Sequence, residues 1–448
     1  MSTLRIAITG LKGAGKTVFL TSLINNLIRG TADSFPAFKK RGVLFSAEPA
    51  PLAIARRRFP FNEYMRQYRE DSARWPASTV DVSEFHLTLE LKKRRARRLN
   101  LQLLDYPGER LLDMPLLHKS YDEWSDEVCE ESKEPVRREL AEAWTHACEA
   151  VAEHGGNAQE TAGKAVSAYR AYLLACRERG LQYLQPSAFV LDTEDAAFLD
   201  LSFCPLPRDI RTARPAVAAA FAKRYGAYRE GYVKPFVEEA VRSSRQVVLV
   251  DVLRILRTGL HCFRDTQRCL EEILKVFSYS PSYPPYLRWW RGVRSALSLN
   301  RRIERVAFVA TKADLATRPN RTRLKHLLEV LVRFASNRLR FRLRDDRIEY
   351  DYCAAFRCTE DAAKKLDGMP LSVLKGRRQM PDDEAREGVW FPGEVPEEWP
   401  EEAYDPMEAG FMFPVFMPRS LPRDRDDLPI EHLNLDELFY SMVEGYIR

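Results

Sequence analysis

A glycine-rich loop lies between an apolar strand and an apolar helix near the N-terminus, and this junction constrains the fold more than any other feature. Leu4–Thr9 is predicted as a buried strand, and Val18–Arg29 is predicted as a helix. The loop between them reads Gly10-Leu11-Lys12-Gly13-Ala14-Gly15-Lys16-Thr17. It fits the pattern G-x-x-x-x-G-K-[ST] at every fixed position, which predicts a phosphate-binding loop in this strand–loop–helix setting. The flanking elements disfavour the alternative, a chance glycine turn.

The residue types of this loop indicate how it would hold a nucleotide. Glycines allow consecutive backbone N–H groups to turn toward a phosphate, and the helix N-terminus adds partial positive charge. Lys16 is expected to contact the β- and γ-phosphates and to assist catalysis, and the Thr17 hydroxyl is expected to coordinate Mg²⁺. Lys12 is either a further cation or a solvent-facing side chain. The residues predicted to contact the nucleotide here are Gly10, Gly13, Ala14, Gly15, Lys16, Thr17 and Val18.

A second motif, D-x-x-G, follows the predicted strand Asn100–Leu104. Asp105 is expected to hold Mg²⁺ through water, and the Gly108 N–H is expected to sense the γ-phosphate. Glu109 follows at once and is predicted to orient or deprotonate the attacking water. A carboxylate also adds negative charge beside a triphosphate, so slow intrinsic turnover is expected. Thr79, or alternatively Ser78, is predicted to complete the Mg²⁺ shell.

A third motif predicts which base is bound. The buried strand Val306–Ala310 ends in Thr311-Lys312-Ala313-Asp314, which is similar to the guanine-reading pattern N/T-K-x-D. The Asp314 carboxylate would accept hydrogen bonds from guanine N1–H and N2–H₂, and adenine lacks that pair of donors. The aliphatic stem of Lys312 would cover one face of the base. After the strand Ile348–Tyr352, the backbone of Ala355 and Phe356 is predicted to contact the guanine O6. The alternative for Thr311–Asp314 is an ordinary charged strand end.

Composition narrows the class of protein. The 448 residues carry a net charge of +6, which is mild for this length, so no nucleic acid is expected as a partner. The eight cysteines contain no C-x-x-C pair and indicate reduced thiols. No apolar run has the length of a membrane span, and the N-terminus does not have the pattern of a signal peptide. The expected location is the cytoplasm.

The order of the motifs predicts an α/β fold, namely a P-loop NTPase core of the GTPase type with a large inserted α-helical lobe. The interval between Gly108 and Thr311 is far longer than a minimal GTPase uses, and most of it has helical patterning. The predicted domains are a first part of the G domain (1–118), the helical lobe (119–245), a second part of the G domain (246–380), and an acidic, proline-rich strap with a C-terminal helix (381–448).

The sequence resembles the YcjX-like family of bacterial P-loop GTPases with a helical insertion. The segments that carry the resemblance are Thr9–Phe19, Trp75–Thr79, Asp105-Tyr106-Pro107-Gly108-Glu109 with the following Leu111–Leu117, Arg245–Leu253, Ala310–Asp314, Phe356–Thr359 and the C-terminal segment Leu428–Asp436. It implies a link to stress, a membrane-protein partner, and peripheral association with the inner membrane as an alternative location. Lys12-Gly13 and Leu315 depart from the residues expected in the family.

The main functional hypothesis is a Mg²⁺-dependent protein that binds GTP, hydrolyses it to GDP and switches conformation with its nucleotide. Catalysis in such an enzyme is mostly positioning and charge neutralisation at the γ-phosphate. One alternative is a non-hydrolysing scaffold, gated by GTP and GDP, that recruits a partner through the helical lobe. A weaker alternative is an ATPase.

Overall fold

The structure is a computed structural model that describes residues 2–30, 33–52, 57–77, 81–91, 97–153, 158–191, 199–240, 243–278, 303–340, 347–366, 368–380, 384–425 and 427–447. The chain divides into two units. The first contains Met1–Pro107, Arg242–Phe263 and Ser280–Arg448, and the second contains Gly108–Val241 and Arg264–Tyr279. The sequence predicted a helical lobe over 119–245, whereas the second unit begins earlier and also takes in a later segment.

Within the described residues, the first unit contains a seven-stranded sheet with the strand order β2-β3-β4-β1-β5-β6-β7. The pairs β4–β1, β1–β5, β5–β6 and β6–β7 are parallel, and the pairs β2–β3 and β3–β4 are antiparallel. This mostly parallel sheet confirms the predicted α/β class. The strands are β1 (Ser2–Gly10), β2 (Phe45–Pro49), β3 (Ser83–Leu91), β4 (Arg97–Asp105), β5 (Arg245–Val250), β6 (Arg305–Ala310) and β7 (Ile348–Tyr352).

Alternating side chains of the central strands are buried on opposite faces of the sheet. In β5, Val247 and Leu249 belong to the cluster that also contains residues of the first and last helices, and the buried Val248 alternates with them.

The amide of Asn26 donates to Ile430 O (2.9 Å) and its oxygen accepts from Ile430 N (2.7 Å), which fixes the C-terminal segment. The helices of this unit are α1 (Lys16–Arg29), α2 (Pro36–Lys40), α3 (Phe61–Tyr68), α11 (Val252–Thr258), α13 (Arg321–Arg340) and α14 (Leu435–Ile447).

A second, antiparallel sheet lies where the sequence predicted the end of the second part of the G domain and the start of the acidic strap. Its strand order is β10-β9-β8, and its strands are β8 (Thr359–Leu366), β9 (Met369–Gln379) and β10 (Ala385–Trp390). Leu374 of β9 packs with Cys358 and Phe416, which gives the sheet its apolar anchor. Most side chains of β8 are exposed, so the strand does not show the apolar alternation that would have predicted it.

The second unit is helical and is built around aromatic side chains. Trp124 stacks on Tyr225 with ring centroids 5.0 Å apart, and Trp144 stacks on Tyr172 at 5.5 Å. Arg137 and Asp265 form a buried ion pair (2.7 Å). No helix among the described residues is long and apolar enough to cross a membrane. The helices of this unit are α4 (Gly108–Leu111), α5 (Tyr121–Glu131), α6 (Pro135–Ala152), α7 (Ala158–Glu178), α8 (Arg208–Ala213), α9 (Pro215–Tyr228), α10 (Lys234–Ala240) and the part of α12 (Leu260–Ser278) from Arg264 onward.

Asp113 fixes the segment 108–118 within this helical unit. Both of its carboxylate oxygens accept from the Ser187 N–H (3.0 Å each), and Oδ2 also accepts from the hydroxyls of Ser187 and Tyr228. Burial raises the pKa of Asp113 to about 6, although the hydrogen bonds from Ser187 and Tyr228 act in the opposite direction. The backbone of the segment is held as well, because the Gln185 amide donates to Leu112 O.

We predict that Asp113→Asn lowers the free energy of unfolding by about 2 kcal/mol or more, because the new amide nitrogen presents a donor where an oxygen now accepts. Urea unfolding followed by tryptophan fluorescence measures this loss. Asp122→Asn is the matched control, since the Asp122 side chain is 73% exposed. The control should change the free energy by less than about 1 kcal/mol. Equal losses in the two variants would contradict the role of Asp113.

A comparison of the wild type with Asp113→Asn at several pH values also tests the titration of Asp113. Its folded-state pKa of about 6 lies above the ordinary value of 3.8, so the folded protein holds this proton more tightly than the unfolded chain does. The contribution of Asp113 to stability is therefore fully present below the ordinary value and is lost as the pH rises through the folded value. The wild type should lose stability relative to Asp113→Asn over this interval, and parallel pH profiles would exclude such a shift.

Candidate functional site

The glycine-rich loop connects β1 to α1 in the first unit. Gly10, Gly13 and Gly15 have positive φ angles of 138°, 77° and 84°, which L side chains rarely adopt. A Cβ on Gly10 would lie 2.3 Å from Leu249 O on the neighbouring strand β5. Glycine at this position therefore allows both the turn and the close approach of two strands.

Lys16 begins α1 and is nearly buried, with 7% of the residue exposed. Its Nζ donates to Gly10 O (2.9 Å) and to Leu11 O (3.2 Å), so the ammonium is folded back over the start of the loop. A buried ammonium needs hydrogen-bond acceptors, and these carbonyls provide them. The positive charge is thus held beside the loop backbone and the N-terminus of α1.

The predicted magnesium ligands fall partly within the described residues. Thr17 lies in the first turn of α1 and Asp105 ends β4, and both are buried. The parallel register pairs Asp105 with Ile8, which is two residues before Gly10. Both the loop and Asp105 therefore lie at the carboxyl ends of adjacent strands. Ser78 and Thr79 lie outside the described residues.

The T-K-x-D segment follows β6 at the same end of the sheet. The backbone N–H of Thr311 donates to Val250 O (2.9 Å), and its hydroxyl donates to the same carbonyl (3.3 Å). Lys312 has a left-handed φ of 59°, and its Nζ forms an ion pair with Asp251 Oδ2 (2.6 Å). Burial alone would raise the pKa of Asp251, but the ion pair and hydrogen bond with Lys312 and the bond from the Arg254 N–H hold the pKa below its ordinary value.

Asp314 is buried, with 2% of the residue exposed. Its Oδ2 accepts hydrogen bonds from the backbone N–H of Cys358 (2.8 Å) and from the Cys358 thiol (3.0 Å). Burial raises the pKa of Asp314, and the bonds from Cys358 oppose this rise. Cys358 therefore fixes the orientation of the carboxylate predicted to read the base.

The other two residues predicted near the base have mainly apolar surroundings. The Phe356 ring packs against Tyr68 (4.9 Å between centroids) and Trp75 (5.6 Å). Ala355 is partly buried against the same cluster. The backbone of this stretch does lie near the T-K-x-D segment, because Ala313 N donates to Cys353 O (3.2 Å).

Gly108 and Glu109 belong to the helical unit, where both are buried in α4. Glu109 has 8% of its surface exposed. The next residue, Arg110, lies over the rings of Tyr232 (4.2 Å from Cζ to the centroid) and Phe236 (4.8 Å). Glu109 is therefore part of a packed helical turn and not of an open loop.

Three residues that the motifs do not contain hold the site together. Cys358 bonds Asp314, Asp251 pairs with Lys312, and Arg254 Nη1 donates to the backbone carbonyl of Lys12 (2.8 Å). Asp251 directly follows a buried strand and Cys358 follows another strand closely, and both lie in segments that carry the family resemblance. No motif spacing assigns them these partners. Lys12 itself is half-buried.

Comparison with known proteins identifies the family. The profile of the YcjX-like family, DUF463, matches residues 4–445. The chain belongs to the YcjX-like family. One relative from this family, named Ras-like GTPase YcjX, from Escherichia coli (strain K12), is 29% identical over 469 aligned residues that cover 99% of this chain and 96% of that protein. A relative of the same name from Shewanella oneidensis (strain MR-1) is 27% identical over 472 residues, covering 98% of this chain and 94% of that protein.

We predict that Gly10→Ala lowers the free energy of unfolding by about 2 kcal/mol or more, because strained φ and the collision with Leu249 O act together. Gly42→Ala is the matched control. Gly42 also has a positive φ (65°), but a Cβ there would meet nothing within 4 Å, so only backbone strain of about 1 kcal/mol is expected. Thermal unfolding compares the two variants. Equal losses in Gly10→Ala and Gly42→Ala would show that the close approach of β5 to Gly10 adds nothing to the cost of the substitution.

Proposed function

We propose that this protein binds GTP with Mg²⁺, hydrolyses it to GDP and phosphate, and changes conformation with its nucleotide. The observation that carries the proposal is the Lys16 ammonium, held over a loop of three positive-φ glycines at the N-terminus of α1. A fixed cation, inward-turning N–H groups and a helix N-terminus together suit a polyphosphate. Membership of the YcjX-like family and the name Ras-like GTPase carried by two relatives support the same activity.

Guanine is the proposed base. Asp314 and Lys312 lie in one segment beyond β6, and Cys358 fixes the Asp314 carboxylate through Oδ2. A carboxylate held in this way accepts the two N–H donors of guanine and would be left unpaired by adenine. Ala355 and Phe356 are proposed to contribute backbone contacts alone, since the Phe356 ring is packed in the core.

The oxygen donors of this chain fit Mg²⁺. Thr17 offers a hydroxyl and Asp105 a carboxylate, and Mg²⁺ is commonly bound by one or two such groups together with substrate phosphates. When bound, the ion would neutralise charge on the β- and γ-phosphates. Thr17 would ligate it directly and Asp105 through water. Thr79 remains a predicted further ligand.

Glu109 is the proposed water-orienting residue, with the Gly108 N–H as the proposed sensor of the γ-phosphate. Glu109 is nearly buried and lies in a packed helical turn. Its carboxylate would also add negative charge beside a triphosphate, which favours slow intrinsic turnover. The burial of Glu109 favours the second candidate, a scaffold that binds GTP and GDP without hydrolysing GTP. A stress-related role and a membrane-protein partner remain predictions from the family.

The base assignment is tested with Asp314→Asn. We expect weaker GTP binding and a gain for xanthosine triphosphate, because the new amide donates to the 2-oxo group. Competition among GTP, ATP and xanthosine triphosphate against a fluorescent nucleotide measures the preference. Cys358→Ser is the matched control and should keep the preference for GTP, since a serine hydroxyl also donates to Asp314. Unchanged GTP affinity in Asp314→Asn would remove Asp314 from the base site, and a wild-type preference for ATP would favour the ATPase reading.

Hydrolysis is tested by single-turnover assays with GTP and Mg²⁺. We expect slow release of phosphate by the wild type and a fall of about a hundredfold or more in Glu109→Ala, the lower end of the range typical of a general base. GDP affinity should stay near the wild-type value because Glu109 is proposed to act only at the γ-phosphate. Lys16→Ala is the binding control and should weaken both nucleotides. Tight GTP binding with no turnover in the wild type would favour the scaffold.

A further inference from the structure

The side chain of Arg254 contacts a backbone carbonyl of the phosphate-binding loop. It lies in the first turn of α11, and its Nη1 donates to Lys12 O (2.8 Å). The same nitrogen lies 3.5 Å from the position that a Cβ on Gly13 would occupy. The guanidinium therefore rests against the backbone of residues 12 and 13, in the middle of the loop.

This contact has a physical consequence for the orientation of the loop. A phosphate-binding loop works because its N–H groups face the ligand, so its carbonyls must face elsewhere and need donors there. Arg254 supplies such a donor to the Lys12 carbonyl. Its hydrogen bond is charge-assisted, and a guanidinium remains charged at any physiological pH. The peptide between Lys12 and Gly13 is thereby fixed.

The position of Arg254 depends in turn on Asp251. The Oδ1 atom of Asp251 accepts from the Arg254 backbone N–H (3.0 Å) and caps α11, while Oδ2 pairs with Lys312 (2.6 Å). Asp251 is buried, and its neighbouring cations hold its pKa below the ordinary value, so the carboxylate stays ionised. The buried Asp251 carboxylate therefore orders both the base-reading segment, Thr311–Asp314, and the helix that carries Arg254.

We propose that Arg254 is a positioning residue for the phosphate-binding loop, and that Asp251 couples it to Lys312 of the base-reading segment. The proposal rests on the proposed nucleotide binding and adds to it a link between the two ends of the ligand. Arg254 acts through the Lys12–Gly13 backbone, so it matters for nucleotides whose β-phosphate the loop must cradle. It matters little for a nucleoside monophosphate, which lacks that group.

The test compares GDP with GMP. We expect Arg254→Met to reduce the ratio of GMP to GDP dissociation constants by about tenfold or more, the range for losing a hydrogen bond to a charged group. Methionine keeps the apolar stem and removes every donor. Arg254→Lys keeps a charged donor and should recover part of the ratio. A generally destabilised protein would weaken both nucleotides alike and would leave the ratio unchanged.

Arg257→Met is the matched control on the same helix. Arg257 donates to Phe413 O (3.1 Å), a contact that does not involve the loop, and its loss should leave the ratio at the wild-type value. An unchanged ratio in folded Arg254→Met overturns the proposal. If Arg254→Met does not fold, an unchanged ratio in Arg254→Lys overturns it too, because the shorter side chain cannot reproduce the present geometry. A wild type that binds neither GDP nor GTP refutes the proposed function itself.

The coupling through Asp251 is tested by a double-mutant cycle. Asp251→Asn keeps a helix-capping acceptor but loses the charge that pairs with Lys312. Its effect on GDP affinity should depend on Arg254, so that the combined Asp251→Asn and Arg254→Met variant departs from additivity by more than about threefold. Effects that add within this limit would remove Asp251 from the link while leaving Arg254 to be judged by the ratio.

Discussion

A nearly buried ammonium with backbone carbonyls as acceptors is the interaction on which the site depends. Lys16 donates to Gly10 O and Leu11 O, and these carbonyls are available only because the loop turns back over the N-terminus of α1. That turn requires glycine at Gly10, where β5 approaches too closely for a side chain. The close packing of β5 against Gly10, the conformation of the loop and the position of the Lys16 charge therefore depend on one another. An anionic ligand would replace the partial negative charge of these carbonyls with a full negative charge beside Lys16. Electrostatics therefore favours the binding of an anion here.

Much of the fold was predictable because its signals are local. The strand that ends at Gly10 and the helix that follows were both predicted, and α1 extends the prediction only at its first turn. A run of buried apolar residues likewise predicted β6, which is covered on both faces. The small sheet of β8, β9 and β10 was missed, and an acidic strap was predicted over part of it. Its strands are stabilised by pairing with one another and by a few apolar contacts, so their own sequences read as polar connections.

The site was predictable only where a motif fixes residue spacing. Lys16, Thr17 and Asp314 follow from such spacing, and the structure describes each of them as a buried residue at the carboxyl ends of the strands. The partners Cys358 and Arg254 could not be predicted, since they lie 44 residues from Asp314 and 242 residues from Lys12. Their roles arise from the order of strands in the sheet, which brings the loops after β1, β5, β6 and β7 together. The roles of the motif residues themselves stay predictions until nucleotide binding is measured.

The contacts of Asp113 limit how a nucleotide could act on the segment 108–118. Detaching the segment would break the hydrogen bonds that Asp113 receives from Ser187 and Tyr228, at about 1–3 kcal/mol for each buried group left unpaired. The single bond proposed between the Gly108 N–H and a γ-phosphate contributes no more than about 3 kcal/mol. A ligand shifts an equilibrium only by its difference in affinity for the two states, so this one bond does not suffice to melt the segment. The segment therefore stays part of the helical unit in any nucleotide state that lacks a further source of free energy.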